Sequence, residues 1–110
     1  MEKEIEKFKR YLLVERNAAA NTLIAYEKDL RDFAAFMCEG TADTSCDFAA
    51  VNIDDARAYS RYLRERRRLQ KSTLGRHISS LRSFYRFLAR EGVVDDNPFA
   101  VVALPRKEKN

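Results

Sequence analysis

Apolar residues recur at spacings of three and four along most of the chain, the spacing that places side chains on one face of an α-helix. The clearest run lies in the C-terminal half: Leu74, Ile78, Leu81, Tyr85 and Leu88. Glycine and proline interrupt helices, and the 110 residues contain only 3 and 2 of them. A chain of this length can bury one core. The sequence therefore predicts an all-α fold of four helices.

Residues that start or stop a helix set the expected limits of these four elements. The first helix should cover about residues 2–15. Short polar side chains accept hydrogen bonds from free backbone N–H groups where a helix begins. Caps of this kind are predicted at Asn21 or Thr22, at Asn52 and at Ser72. Glycine readily adopts the left-handed conformation that ends a helix, so Gly40 and Gly92 are the expected stops.

The segments between and after the helices carry a few apolar residues that should reach the core. Residues 40–51 show no sustained period and are expected to form a surface loop, with Phe48 fixed to the core. The inward side of the third helix should consist of Ile53, Ala56, Tyr59 and Leu63. The end of the core is expected to be covered by Phe99, Val102 and Leu104. Residues 105–110 are polar and lack a period, which predicts the start of a linker.

Charge is distributed unevenly along the chain, although the net charge is only +4. Residues 1–56 contain 7 basic and 12 acidic side chains, whereas residues 57–90 contain 11 basic and 1 acidic. The remaining segment, 91–110, contains 3 basic and 4 acidic side chains. A concentrated basic block repels itself within a folded domain, and an anionic partner would explain its presence. A solvated basic face is the alternative interpretation.

The sequence lacks the residue arrangements that are typical of catalysis or cofactor binding. It contains one histidine, His77, and no glycine-rich phosphate loop, HExxH motif or nucleophile elbow. Cys38 and Cys46 lack the spacing of a zinc site and are expected to be intracellular thiols. We therefore predict that this chain is not an enzyme and needs no cofactor and no metal. Without an apolar run of roughly 20 residues, we expect a cytoplasmic protein with no membrane partner.

One side of the fourth helix combines small hydroxyl side chains with arginines. Placed at about 100° per residue, these residues lie opposite the apolar stripe: Ser72, Arg76, Ser79, Ser83, Arg86 and Arg90. Small residues allow a helix to approach a duplex closely, and arginine forms paired hydrogen bonds with phosphate or guanine. No acidic residue interrupts this helix between Ser72 and Arg90. The pattern favours DNA binding.

Two segments resemble a known family of proteins. The segment NTLIAYEKDLRDFAAFM and the later segment KSTLGRHISSLRSFYRFLAREGVVDDNP are similar to the N-terminal core-binding domain of tyrosine recombinases. Xer-type site-specific recombinases and phage-type integrases are the members that the sequence resembles. The similarity extends from about Ile5 to Arg106 and includes the closing NP…P element.

This resemblance implies a four-helix orthogonal bundle of the SAM-like type that clamps double-stranded DNA near the cleavage site. Carried over by position, the DNA contacts fall on Asn21, Thr22, Ala25, Lys28, Lys71, Ser72, Thr73, Arg76, His77 and Ser80. Residues 1–104 would be the core-binding domain, and residues 105–110 would begin the linker to a catalytic domain that is not in this sequence. Other recombinase subunits in a synaptic tetramer would be partners, and the location would be the bacterial cytoplasm, associated with the nucleoid.

Two other functions fit the sequence pattern less closely. A stand-alone helical DNA-binding regulator would share the basic face but would not need the terminal linker. A helical protein-interaction domain would present exposed aromatic or aliphatic anchors, whereas the predicted outer side of the fourth helix presents serine and arginine.

Overall fold

The computed structural model describes residues 2–38 and 47–104, and these ranges are helical with no β-strand. The elements are α1 (Glu2–Val14), α2 (Ala20–Cys38), α3 (Ile53–Glu65) and α4 (Lys71–Arg90), with a short 3₁₀ turn at Phe48–Ala50. The predicted all-α fold of four helices is confirmed. The chain divides into two compact units, Met1–Ala50 and Val51–Asn110, so that α1 and α2 form one unit and α3 and α4 the other.

The first unit buries the apolar stripes of its two helices. From α1 the buried side chains are Ile5, Phe8 and Leu12, and from α2 they include Leu30 and Phe33. Phe8 stacks on Tyr26 of α2 with ring centroids 6.3 Å apart. Phe48 is only 1% exposed and stacks on Phe33, which confirms that the segment after α2 is fixed to the core.

An ion-pair cluster joins α1 to α2. Arg31 donates to Glu27 through Nε at 3.0 Å and to Glu2 through Nη2 at 3.0 Å. Lys9 of α1 pairs with the same Glu27 carboxylate. The hydrogen bond from Arg31 lowers the pKa of Glu2, and those from Lys9 and Arg31 lower the pKa of Glu27. Charged side chains near the start of α1 therefore help to fix its position on α2.

The start of α2 differs from the expected cap. Leu23 donates its N–H to the carbonyl of Ala19, so the helix begins at Ala20 and both Asn21 and Thr22 lie inside the first turn. The prediction that either residue caps this helix is wrong, because the helix extends further toward the N-terminus. At the other end, α2 is described to Cys38, which is disulfide-bonded and not the expected free thiol. Gly40, the predicted stop, and Cys46 lie outside the described residues.

In the second unit, α3 begins as the sequence predicts. The Asn52 side chain accepts from the Asp55 N–H at 2.9 Å, and the Asp55 carboxylate accepts from the Asn52 N–H at 3.0 Å. This capping box satisfies two backbone donors. The inward side holds Ala56, Tyr59 and Leu63, all 0% exposed. Ile53 is 43% exposed because it is the first residue of the helix, so its predicted burial is wrong.

Helix α4 buries the predicted stripe, since Leu74, Ile78, Leu81, Tyr85 and Leu88 are all at most 5% exposed. Its N-cap is Gln70, which makes no side-chain cap hydrogen bond. The predicted cap at Ser72 is therefore wrong, because the first intrahelical bond runs from Leu74 N–H to the Gln70 carbonyl. The helix ends as predicted, with Gly92 at φ 77° following the C-cap. That left-handed conformation is one that glycine adopts without strain.

The chain after α4 folds back on the second unit. Phe99 and Val102 are buried, and the Phe99 ring lies 5.7 Å from that of Tyr85. Leu104 is 44% exposed, so its predicted place in the core is wrong. It lies at the end of the described chain, beyond the last buried residue. Residues 105–110 lie outside the described residues, and the division into a domain of residues 1–104 and a linker stays a prediction.

Candidate nucleic-acid interface

The outer side of α4 lies where the helical period places it. Ser72, Arg76, Arg86 and Arg90 are exposed, and Ser79 and Ser83 are half-buried between them. The helix contains no acidic residue from Lys71 to Arg90. A surface of small hydroxyl groups between guanidinium groups suits an anion that approaches the helix backbone closely.

One arginine of α4 belongs to the fold instead of this surface. The Arg82 guanidinium donates to the carbonyls of Phe99 and Val102, so it fixes the segment after α4. This role distinguishes it from the exposed Arg76 and Arg86, although all three arise from the same basic stretch of sequence.

The first turn of α4 collects several of the predicted contact residues. Lys71 and Ser72 are exposed, and Thr73 is half-buried. The N–H groups of a first helical turn have no partner within the helix, and the helix dipole makes this end positive. The Gln70 side chain does not cap this end. The first turn therefore combines a lysine and two hydroxyl groups with backbone donors.

Two predicted contact residues lie on the buried side of α4. His77 is 2% exposed and Ser80 is 0% exposed, and the Ser80 hydroxyl donates to the Arg76 carbonyl at 2.8 Å. They are buried because Phe84 and Phe87 extend the apolar stripe, which covers about half of the helix circumference. The burial of His77 and Ser80 does not support a direct contact with a partner. Positions 77, 80, 84 and 87 lie on one side of the helix, and this spacing is visible in the sequence, although the spacing alone does not show that this side is buried.

In the first unit, the predicted contact residues share one side of α2. Asn21, Ala25 and Lys28 follow the spacing i, i+4 and i+7. Asn21, Thr22 and Lys28 are exposed, and Ala25 is half-buried. The cluster between α1 and α2 engages Glu27 and Arg31, and the exposed Lys28 is not part of it.

Helix α3 carries a row of exposed arginines, which were predicted only as members of the basic block of residues 57–90. Arg57, Arg61 and Arg64 are all exposed. They follow the spacing i, i+4 and i+7, which places them on one side of the helix, away from Ala56, Tyr59 and Leu63. The i, i+4, i+7 spacing is visible in the sequence, so the row could have been predicted from it.

Within the ranges that the structure describes, no three histidine, cysteine or acidic side chains gather where they could hold a metal ion. None of the helices in those ranges has the length and apolar character that crossing a membrane requires. The exposed residues of the candidate interface have arginine, lysine, hydroxyl and amide side chains.

Comparison with known proteins assigns this fold to a family. The sequence matches the family described as phage integrase, N-terminal SAM-like domain, over residues 5–92. It is 43% identical over 98 residues to the tyrosine recombinase XerC of Listeria monocytogenes serotype 4a (strain HCC23), covering 89% of this chain and 31% of the relative. The tyrosine recombinase XerC of Oceanobacillus iheyensis is 41% identical over 110 residues, covering 99% of this chain and 34% of the relative.

A third relative, the tyrosine recombinase XerC of Pelobacter propionicus, is 38% identical over 107 residues, covering 96% of this chain and 34% of the relative. The chain thus spans about a third of the length of the curated relatives that it matches. No solved structure matches it.

Proposed function

Because the chain belongs to the phage integrase N-terminal SAM-like family, we propose that it is the DNA-binding domain of a Xer-like tyrosine recombinase and clamps duplex DNA near the cleavage site. The observation that carries this proposal is the exposed, acid-free side of α4, where serines alternate with Arg76 and Arg86. A helix face that serves only solubility usually pairs acidic and basic residues at i,i+4. A DNA phosphate backbone supplies the missing negative charge.

The exposed residues have distinct roles in this proposal. Arg76 lies in the second turn of α4 and is the candidate for a base edge, since a guanidinium pairs with the O6 and N7 atoms of guanine. Lys71, Ser72 and Thr73 lie in the first turn of α4, whose N–H groups point away from the helix, and these residues are assigned to phosphate.

On α2, Asn21, Thr22 and Lys28 are assigned to backbone contacts, and the small side chain of Ala25 permits close approach. His77 and Ser80 receive no direct contact, because both side chains are buried.

The same proposal extends to the partners of the whole protein. The recombinase would assemble with other recombinase subunits in a synaptic tetramer, and the cleavage and ligation that serve DNA integration and recombination would be carried out outside this chain. The chain itself would bind DNA without reacting with it. A protein-interaction function for α4 is disfavoured because none of the exposed large apolar residues of the described chain lies on that helix.

Salt dependence tests the proposal directly. The 110-residue chain is titrated with a duplex of about 30 base pairs between about 50 and 200 mM salt. The α2 and α4 residues assigned above, in contact with four to six phosphates, contribute about −4 to −5 to the slope of log affinity against log salt concentration. An affinity that does not change with salt would contradict DNA binding through this surface. A covalent adduct formed between the purified chain and the duplex would contradict its assignment as a non-catalytic domain.

A further inference from the structure

The arginine row of α3 is the strongest charged feature that the proposed function does not use. Arg57, Arg61 and Arg64 are exposed on one side of the helix. At the helical rise per residue, the row is roughly 10 Å long, a length over which one DNA strand presents about three phosphates. The exposed residues Arg66 and Arg68 follow in the turn after the helix. The row is therefore long enough to face about two or three phosphates of one strand.

Helix stability does not explain the row. Like charges at i,i+3 and i,i+4 destabilise a helix. The helix dipole favours basic residues only in the last turn, which accounts for Arg64 but not for Arg57 or Arg61. Among the described residues, no hydrogen bond or ion pair holds any of these three guanidinium groups. Within the part of the chain that the structure describes, their positive charge is therefore available to a partner.

The choice of arginine over lysine indicates what that partner presents. Residues 57–90 contain 10 arginines and 1 lysine, whereas residues 1–56 contain 3 arginines and 4 lysines. Solubility is served by either residue, but the planar guanidinium forms paired hydrogen bonds with phosphate oxygens. The bias therefore appears in the unit that carries the exposed rows of α3 and α4, and it favours a phosphate-bearing partner.

We propose that Arg57, Arg61 and Arg64 form a second phosphate-binding surface, which holds the backbone of duplex DNA without reading its sequence. This surface is on a different helix from the serine and arginine side of α4. The inference rests on the proposed DNA-binding function and adds to it a contact that contributes affinity and salt dependence on any duplex.

The test removes the three charges and compares the result with an equal loss of charge elsewhere. The variant Arg57→Gln/Arg61→Gln/Arg64→Gln keeps residues that favour helices. Its matched control is Lys3→Gln/Lys7→Gln/Arg10→Gln, since these exposed residues have the same i, i+4, i+7 spacing on α1. Salt titrations use a duplex of arbitrary sequence and about 30 base pairs. We expect the α3 variant to reduce the size of the slope by about 2 to 3, and the control to leave it nearly unchanged.

A third variant separates charge from folding. Arg57→Lys/Arg61→Lys/Arg64→Lys keeps the three charges, so it should keep the slope, and the helical circular dichroism of all variants should match that of the unchanged chain. An unchanged slope in the glutamine variant, or an equal loss in the α1 control, overturns the second surface. If the glutamine variant keeps the slope but Arg76→Ala weakens binding, the second surface is wrong and the proposed function is still supported. If the unchanged chain shows no salt-dependent binding, both proposals fail.

Discussion

The Asn97 side-chain amide donates to the backbone carbonyl of Arg82 at 3.0 Å, while the Arg82 guanidinium donates to the carbonyls of Phe99 and Val102. Asn97 also accepts from the Phe99 N–H at 3.0 Å. These hydrogen bonds fix the segment after α4 against the helix. These contacts explain why Arg82, unlike Arg76 and Arg86, is half-buried and unavailable to a partner.

We expect Asn97→Ala to lower the free energy of unfolding by about 1–3 kcal/mol, because it leaves the Phe99 N–H without its acceptor and removes the side-chain hydrogen bond to the Arg82 carbonyl. Urea denaturation measures the change. The control Asp96→Ala alters an exposed neighbour and should stay within about 0.5 kcal/mol. An equal loss in both variants would show that the hydrogen bonds of Asn97 do not stabilise this segment.

The starts of α3 and α4 offer a second comparison of stability. Asn52→Ala should cost about 0.5–2 kcal/mol, since it removes the side chain that accepts from Asp55 N–H. Gln70→Ser should instead add stability of similar order, because Gln70 caps α4 without a side-chain hydrogen bond. Thermal unfolding of the two variants measures both changes. A lowered midpoint for Gln70→Ser would show that a serine at this position does not cap the helix.

Helical periodicity predicted which sides of the helices are buried better than where the helices begin. The stripe from Leu74 to Leu88 is buried as expected, since 100° per residue fixes which side chains point the same way. The cap at Asn52 was predicted and the cap at Ser72 was not found, because several polar residues near a helix start compete for that position. Local sequence does not decide among them.

Within the candidate site, only the exposed side of α4 could be predicted from the sequence. The exposure of Ser72, Arg76 and Arg86 follows from their angle opposite the stripe. The burial of His77 and Ser80 depends on which neighbours pack beside the stripe, and a single helix does not specify them. The same holds for Arg82, whose partners Phe99 and Val102 lie 17 and 20 residues further along the chain.

Acid should weaken the first unit through the cluster between α1 and α2. The pKa values of Glu2 and Glu27 are lowered from 4.5 in the folded chain, so their contribution to stability is present above that value. It is lost as the pH falls through the folded pKa. We expect Glu27→Gln to lower the thermal midpoint at neutral pH and to converge with the unchanged chain once the pH falls below the folded pKa of Glu27. The control Asp95→Asn, in an exposed turn, should leave the thermal midpoint nearly unchanged at both neutral and acid pH.

Arg68 adopts a left-handed backbone conformation, with φ 51°, in the turn between α3 and α4. A side chain other than glycine or asparagine is strained there by about 1–2 kcal/mol. Arg68→Gly should therefore raise the unfolding free energy by up to about 1 kcal/mol after the greater freedom of glycine in the unfolded chain is subtracted. Asn17→Gly, at φ 50°, is the matched control and should gain less, because asparagine tolerates this conformation. Equal gains would show that the strain of an arginine side chain at this φ does not account for the effect.

The two sides of α4 should separate binding from stability. Arg76 is exposed, so Arg76→Ala should leave the unfolding free energy nearly unchanged and weaken duplex binding by about 1–3 kcal/mol if the guanidinium contacts a base. Leu81 is 0% exposed, so Leu81→Ala should cost about 2–5 kcal/mol of stability through the cavity it creates. At a temperature where both variants remain folded, only Arg76→Ala should reduce affinity. Equal losses of stability would mean that the outer side of α4 is a packing surface, because a side chain that contacts only DNA contributes nothing to the free protein.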